Sequence, residues 1–226
     1  MDEPHLSGDN QRMRERIIPA LRFDALTRFF DPVVRVTTRE RTCKKRLVAQ
    51  VAPRPGDTVV DIGCGTATLA IALKRACSGA DVHGVDADPN VLALAQRKVD
   101  AAGVQVRLHE ALAWELPFGD GTVHRAVSSL MFHHLHRDAK LDALASLHRV
   151  LAPDGELHIA DWGRPHDLAM RAAFLGVQLL DGFGTTSDSV TGKLVELMCT
   201  VGFRDVEETQ RIRTPLGTLA LYRARR

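Results

Sequence analysis

Few stretches leave a chain as little conformational choice as Val59-Val60-Asp61-Ile62-Gly63-Cys64-Gly65. β-Branched residues surround an acid, two glycines stand two positions apart, and an apolar, alanine-rich run begins at Leu69. The reading is strand, tight turn, helix: β-branched side chains suit a pleated surface, and glycine takes left-handed torsions freely. A helix starting behind such a turn points unsatisfied N–H groups outward. The turn is therefore a seat for a nucleotide-like ligand or, failing that, a plain structural corner.

The rest of the chain repeats this alternation. Pro53-Arg54-Pro55-Gly56-Asp57 is a turn leading into the first strand. Apolar spacing predicts a helix over 69–77, a strand at Val82-His83-Gly84-Val85-Asp86, and a helix from Asp88-Pro89 to Gly103, with Asp88 as N-cap. Val104, Val106 and Leu108 alternate as a strand, and Arg125 to Leu130 forms another. Leu141, Leu144, Leu147 and Leu151 keep helical spacing up to a turn at Pro153-Asp154-Gly155, and Leu157 to Ala160 is the next strand. Strands separated by helices pair in parallel through right-handed crossovers, so the fold class is α/β, Rossmann-like and doubly wound. From Pro165 to Phe183 a helix carries Leu168, Ala172, Leu175 and Leu179 on one side, and a second ends at Gly202. Val206 to Ile212 and Thr218 to Tyr222 flank a Pro215-Leu216-Gly217 turn as an antiparallel hairpin, completing a mostly parallel seven-stranded sheet. Ahead of the sheet, residues 1–16 are polar, and 17–51 read as helices broken at Asp31-Pro32.

At 226 residues the chain suits one domain, and no apolar run reaches the roughly eighteen residues a membrane helix needs. Met1 to Asn10 is polar and acidic rather than signal-like, so a cytoplasmic protein is expected. Cys43, Cys64, Cys77 and Cys199 form no Cys-x-x-Cys pair, which suggests free thiols and no zinc site. Arg35, Arg39, Arg41, Lys44, Lys45 and Arg46 crowd one segment but spread around a helix without aromatic interleaving. Nucleic acid is accordingly not an expected partner.

Dinucleotide sites ask for a third glycine three residues after the second, where this chain has Thr68, and Asp61 would lie close to a pyrophosphate. A methionyl ammonium or a ribose hydroxyl would welcome that carboxylate. Val59-Val60-Asp61-Ile62-Gly63-Cys64-Gly65-Thr66, Gly84-Val85-Asp86, Leu116-Pro117-Phe118-Gly119-Asp120-Gly121 and His148-Arg149-Val150-Leu151-Ala152-Pro153-Asp154-Gly155 resemble, in order, the motifs of class I S-adenosylmethionine-dependent methyltransferases. The resemblance is closest to the small-molecule branch of ubiquinone and menaquinone biosynthesis enzymes. It implies that Asp61 and the backbone of Gly63, Cys64 and Gly65 hold the methionyl part of S-adenosylmethionine, that Asp86 takes the ribose hydroxyls, and that Ala87 lies against the adenine. The family's usual adenine-binding acid falls on Leu112, which cannot serve, leaving the backbone of Leu112 and Ala113 or nearby Glu110. Trp114 is a candidate stacking surface. The expected layout is one domain over 1–226: N-terminal helices (1–52), a cofactor-binding core (53–161), a helical lid (162–202) and the hairpin (203–226).

Ser128 follows the fourth strand toward the sulfonium end, and His133 or His134 is the candidate base. Adjacent histidines point about 100° apart on a helix, and no acid or cysteine completes a ligand set in that segment, so no metal is expected. Trp162 after the fifth strand, with Phe29 and Phe30, is expected to wall an apolar acceptor pocket beneath the lid. No Asn-Pro-Pro-Tyr or Asp-Pro-Pro-Tyr sequence follows the fourth strand, which sets aside the base- and amide-methylating enzymes that carry it there. The expected activity is methyl transfer to a small, hydrophobic or aromatic acceptor. The alternative is a catalytically silent, regulatory or RNA-associated protein of the same fold, and the oligomeric state is open.

Overall fold

The computed structural model describes residues 39–226, apart from the side chains of 180, 181, 183 and 189. Phe29 and Phe30, with the rest of the predicted N-terminal segment before residue 39, lie outside the described residues. Helix α1 (Glu40–Val51) buries Cys43, Leu47 and Val51, one residue per turn along a single stripe. Then come β1 (Thr58–Ile62), α2 (Thr68–Ala76), β2 (Asp81–Asp86), α3 (Pro89–Ala102), β3 (Arg107–Glu110), β4 (Val123–Ser129), α4 (Arg137–Val150) and β5 (Leu151–Trp162). The chain closes with α5 (Leu168–Asp181), α6 (Phe183–Thr191), α7 (Leu194–Val201), β6 (Arg204–Thr214) and β7 (Gly217–Arg225).

The seven strands form one sheet in the order β3-β2-β1-β4-β5-β7-β6. The first five run parallel, and β7 pairs antiparallel with both β5 and β6. Each face covers its own core. Val59, Val82, Val127, Leu219 and Leu221 pack beneath α1 and α2, while Val60, Val85, Leu157 and Ile159 pack against α4 and α7 on the other side. Asp88 caps α3 as its position suggests, its Oδ1 accepting the Asn90 N–H at 2.8 Å.

Three local expectations are corrected, and one helix had no counterpart among them. Strand β3 begins at Arg107, opposite His83, so the earlier alternation marks burial of Val106 and not pairing. Pro153-Asp154-Gly155 is not a turn between helix and strand: Val123 pairs with Leu151 and Arg125 with Glu156, so the trio bulges from a continuous β5 with Asp154 at φ 62°. The polar stretch over 183–191 is a helix, held to α4 by buried Lys140, whose Nζ donates to Thr185 O at 2.7 Å and Asp188 Oδ2 at 3.2 Å. Finally, Leu168, Leu175 and Leu179 of α5 face outward, and Phe174 and Val177 face the core in their place. Both sides of that helix are apolar, so periodicity could not choose between them.

Candidate active site

The strand order reverses between β1 and β4, and the carboxyl ends of these strands frame the kind of crevice where open α/β sheets hold ligands. Gly63 and Gly65 follow β1 at φ 66° and 53°, torsions that residues with a side chain resist. Their surroundings differ. A Cβ on Gly63 would stand 2.4 Å from Met131 Cγ, whereas one on Gly65 would meet nothing within 4 Å. Gly65 thus leaves a hollow at the strand end. Its N–H donates to Asp86 Oδ2 at 2.9 Å, and the Asp88 N–H donates to Oδ1 at 3.1 Å. A carboxylate offers about four lone-pair positions, so Asp86 keeps acceptor capacity on both oxygens. From α3, Lys98 donates to Thr66 Oγ1 at 3.3 Å and also to the Thr68 hydroxyl, bracing the turn.

Asp61 is 1% exposed, and its Oδ2 has no hydrogen-bond partner among the described residues. Burial pushes its carboxyl up to about 7, and Lys44 on α1 with a backbone hydrogen bond from Ala70 offsets this only in part. Ser129 Oγ is buried and equally unpartnered. Asp61 pairs in register with Gly84 and Val127, so Asp86 and Ser129, two residues further along their strands, share its face. Three oxygen-bearing side chains therefore meet at one carboxyl edge. An unpaired buried polar atom costs about 1–3 kcal/mol, a cost that a polar ligand would remove.

The opposite face is arranged differently. Strand β4 runs into Leu130, a bulky residue at φ 58° whose N–H donates to Ala160 O at 2.8 Å. This strained residue turns the chain into a short 3-10 segment, Phe132–His134. The bend lays Met131 on Gly63 and brings His133 to Asp161 of β5. His133 Nδ1–H donates to Asp161 Oδ1 at 2.7 Å, and the backbone N–H groups of His133 and Trp162 donate to the same carboxylate at 3.2 and 2.7 Å. Burial acts to raise Asp161, but His133 and these hydrogen bonds outweigh it and hold the carboxyl below its usual range. With the Nδ1 proton assigned to the Asp161 contact, Nε2 is the remaining nitrogen of the ring. The His134 ring lies against it, centroids 3.9 Å apart. Burial, reinforced by His133, pushes His134 down to about 3, which keeps it neutral at physiological pH.

A family profile described as a methyltransferase domain matches residues 59–155, the stretch that carries Asp61, Asp86, Ser129 and His133. That stretch is similar to a methyltransferase domain. The chain is 36% identical over 146 residues to a demethylmenaquinone methyltransferase of Thermus thermophilus, an alignment covering 65% of this chain and 63% of the relative. It is 30% identical to a 2-phytyl-1,4-naphtoquinone methyltransferase of Nostoc sp., covering 59% and 58%. The chain thus spans about three-fifths of the length of these curated relatives. Among solved structures, an S-adenosylmethionine-dependent methyltransferase from Aquifex aeolicus superposes with a TM-score of 0.62 at 20% identity, covering 80% of this chain and 88% of the other, a likeness of fold.

The sequence-derived candidates fall into three groups. Asp61, Gly63, Gly65 and Asp86 meet at the carboxyl edge, with exposed Ala87 just beyond β2. Leu112 and Ala113 follow β3, which is tied there by the Ala111 N–H donating to Asp86 O at 3.1 Å. The second group packs or bonds internally. Cys64 Sγ sits 2.9 Å from where a Gly84 Cβ would be, wedged between β1 and β2. Ser128 Oγ donates to Ile62 O at 2.9 Å on the face away from Asp61, so the unengaged hydroxyl belongs to Ser129. The third group is His133, His134 and Trp162, where buried Trp162 meets Phe174 edge-on at 5.1 Å and His133 at 6.4 Å. Sequence reasoning missed Ser129, Met131, Lys98 and the His133–Asp161 pairing. Asp161 alone had a visible signal, as an acid at the end of a strand. Among the described residues no group of three His, Cys, Asp or Glu could hold a metal ion, and no helix is long and apolar enough to cross a membrane.

Proposed function

We propose that this protein moves a methyl group from S-adenosylmethionine to a small, quinone-type aromatic acceptor. The observation that carries the reading is the buried Asp61 Oδ2, which has no hydrogen-bond partner among the described residues. Burial holds back the ionisation of Asp61 to about 7, and an entering cation would favour its carboxylate and be held by it. The donor's ammonium fits there, Asp86 accepts from the vicinal ribose hydroxyls with its remaining lone pairs, and the Ser129 hydroxyl closes the same edge. The backbone of Leu112 and Ala113 flanks the adenine with Ala87. The sulfonium supplies an already activated methyl group, which leaves the protein the work of aligning the acceptor and keeping water out.

On the acceptor side, His133 Nε2 takes the acceptor's proton while Asp161 fixes the ring and stabilises its charged form. His134, too weak a base for that step, packs on the ring that performs it, and Trp162 meets that ring edge-on. The quinone class rests on the names of the relatives, all read through the aligned core. The inward side of the segment over 162–202, which carries Trp162 and Phe174, is the acceptor cover, and Phe29 and Phe30 remain candidates for its far wall. The free thiols Cys43, Cys64, Cys77 and Cys199 agree with a reducing, cytoplasmic setting.

Calorimetric titration with S-adenosylmethionine and with NADH, followed by turnover of a short-chain naphthoquinol, tests the reading. Binding of the first cofactor with methylation that drops about 100-fold in His133→Ala and only slightly in His134→Ala is expected. Binding of NADH alone, or turnover indifferent to His133, would overturn the assignment it addresses.

A further inference from the structure

Four large hydrophobic side chains are exposed among the described residues, and three of them, Leu168 at 87%, Leu175 at 42% and Leu179 at 75%, lie on α5. At 100° per residue they fall within an arc of about 40°, with exposed Ala172 and Gly176 beside them. Arg171 borders the arc, where its guanidinium donates to Gln178 Oε1 at 2.7 Å, and the position of Asp181 falls on the opposite side by helical phase. The inner side of α5 is seated on the fold: Phe174 touches Trp162, and a Cβ on Gly217 would come within 2.9 Å of Phe174. A helix so anchored, with leucines facing water, is shaped to dock.

Charge and size select the partner. Near the N-terminal end of α5, Arg164 and Arg213 are exposed and Arg171 is half-buried, against exposed Asp167, which is paired with Arg213 at 2.8 Å, so that end of the helix is net cationic. The stripe is about 17 Å long by roughly 10 Å wide, far short of the ~800 Å² per partner of a stable protein interface. A shallow apolar ridge with a basic end is the form that lies in the headgroup boundary of a bilayer. We propose that α5 lays Leu168, Leu175 and Leu179 into an anionic lipid surface, so that an acceptor with an apolar tail passes from the bilayer to the site behind Phe174 and Trp162. The docking stands on the geometry of α5, and the route of the acceptor rests on the quinone reading above.

Flotation of the full chain with vesicles of phosphatidylglycerol and phosphatidylcholine in equal parts tests it. The wild type should rise with these vesicles and much less with phosphatidylcholine alone or in high salt. The triple variant Leu168→Ser, Leu175→Ser, Leu179→Ser should lose about tenfold in partitioning. Leu94→Ser, the exposed leucine on α3, should behave as wild type. Because the three leucines are exposed, the triple variant should keep its melting temperature and its turnover of a tail-less naphthoquinol in vesicle-free buffer. A wild type that stays in the buffer, a triple variant that floats equally well, or a wild-type dimer that the triple variant dissolves would overturn the proposal, the last by assigning the stripe to a second copy. Vesicle binding without methylation of any quinol would leave the docking surface intact and remove the acceptor reading.

Discussion

Asp61 and Asp161 are both buried acids near strand ends of one sheet, on opposite faces, and they are treated oppositely. Asp161 accepts three hydrogen bonds, from the His133 ring and the backbone of His133 and Trp162, and is held below the usual carboxylate range. Asp61 keeps one oxygen without a partner and is pushed up to about 7. The difference separates structure from readiness: a satisfied buried charge orients its neighbours, and an unsatisfied one waits for a ligand. Gly63, filled by Met131, and Gly65, left open, repeat the contrast in the turn between them.

The largest expected effect falls on the satisfied acid. Asp161→Asn should cost about 3–5 kcal/mol in urea denaturation, because it breaks a buried pair, while donor affinity moves by less than about threefold. Asp161 has a lowered folded pKa, so its stabilisation is present above the ordinary carboxylate range and is lost as pH falls through the folded value. The gap between wild type and variant should accordingly close in acid. A small loss with a large change in donor affinity would break the contrast.

Next comes Asp61→Ala, expected to weaken S-adenosylmethionine about 100-fold by calorimetry. Asp61→Asn should lose similar affinity yet melt a few degrees higher than the ligand-free wild type at pH 8. Its folded pKa is raised, so the folded chain holds a proton that the unfolded chain releases near pH 4. The penalty of ionising it in place grows from there to about pH 7 and stays constant above. The two proteins should therefore melt alike near pH 4. A variant less stable at pH 8 would show that Asp61 already has what it needs.

Gly63→Ala should cost roughly 2–3 kcal/mol, from the left-handed torsion and the clash with Met131, and Met131→Ala should recover part of it in the double variant. Gly65→Ala should cost only about 1 kcal/mol in stability but weaken donor binding about tenfold, since its Cβ enters the hollow. The smallest effect is Ser129→Ala, which should leave stability unchanged or slightly improved and raise the donor Kd about threefold. Equal responses from the two glycines would remove the distinction between filled and open positions.

Much of the donor half was legible because its signals are local. Strand, turn and helix follow within a dozen residues around Gly63 and Gly65, and Asp86 stands at the end of its own strand. Ser128 was the natural candidate in the next strand, yet Ser129 shares the face of Asp61, because the parity of two strands is set by their register and not by either strand alone. The acceptor half was harder. Its His133–Asp161 bond joins residues 28 positions apart, and α6 is held by Lys140 of α4 across 45 and 48 positions.

Spacing of apolar residues and glycines along the chain was therefore enough to establish a doubly wound sheet, its antiparallel last hairpin and the glycine turn at the end of the first strand, since these depend on torsions and periodicities a few residues long. Which acid is satisfied, which serine is available, and which side of α5 meets water depended on the folded sheet. Those outcomes are set by pairing register and by competition between two apolar faces for one core, and neither quantity exists until distant segments pack.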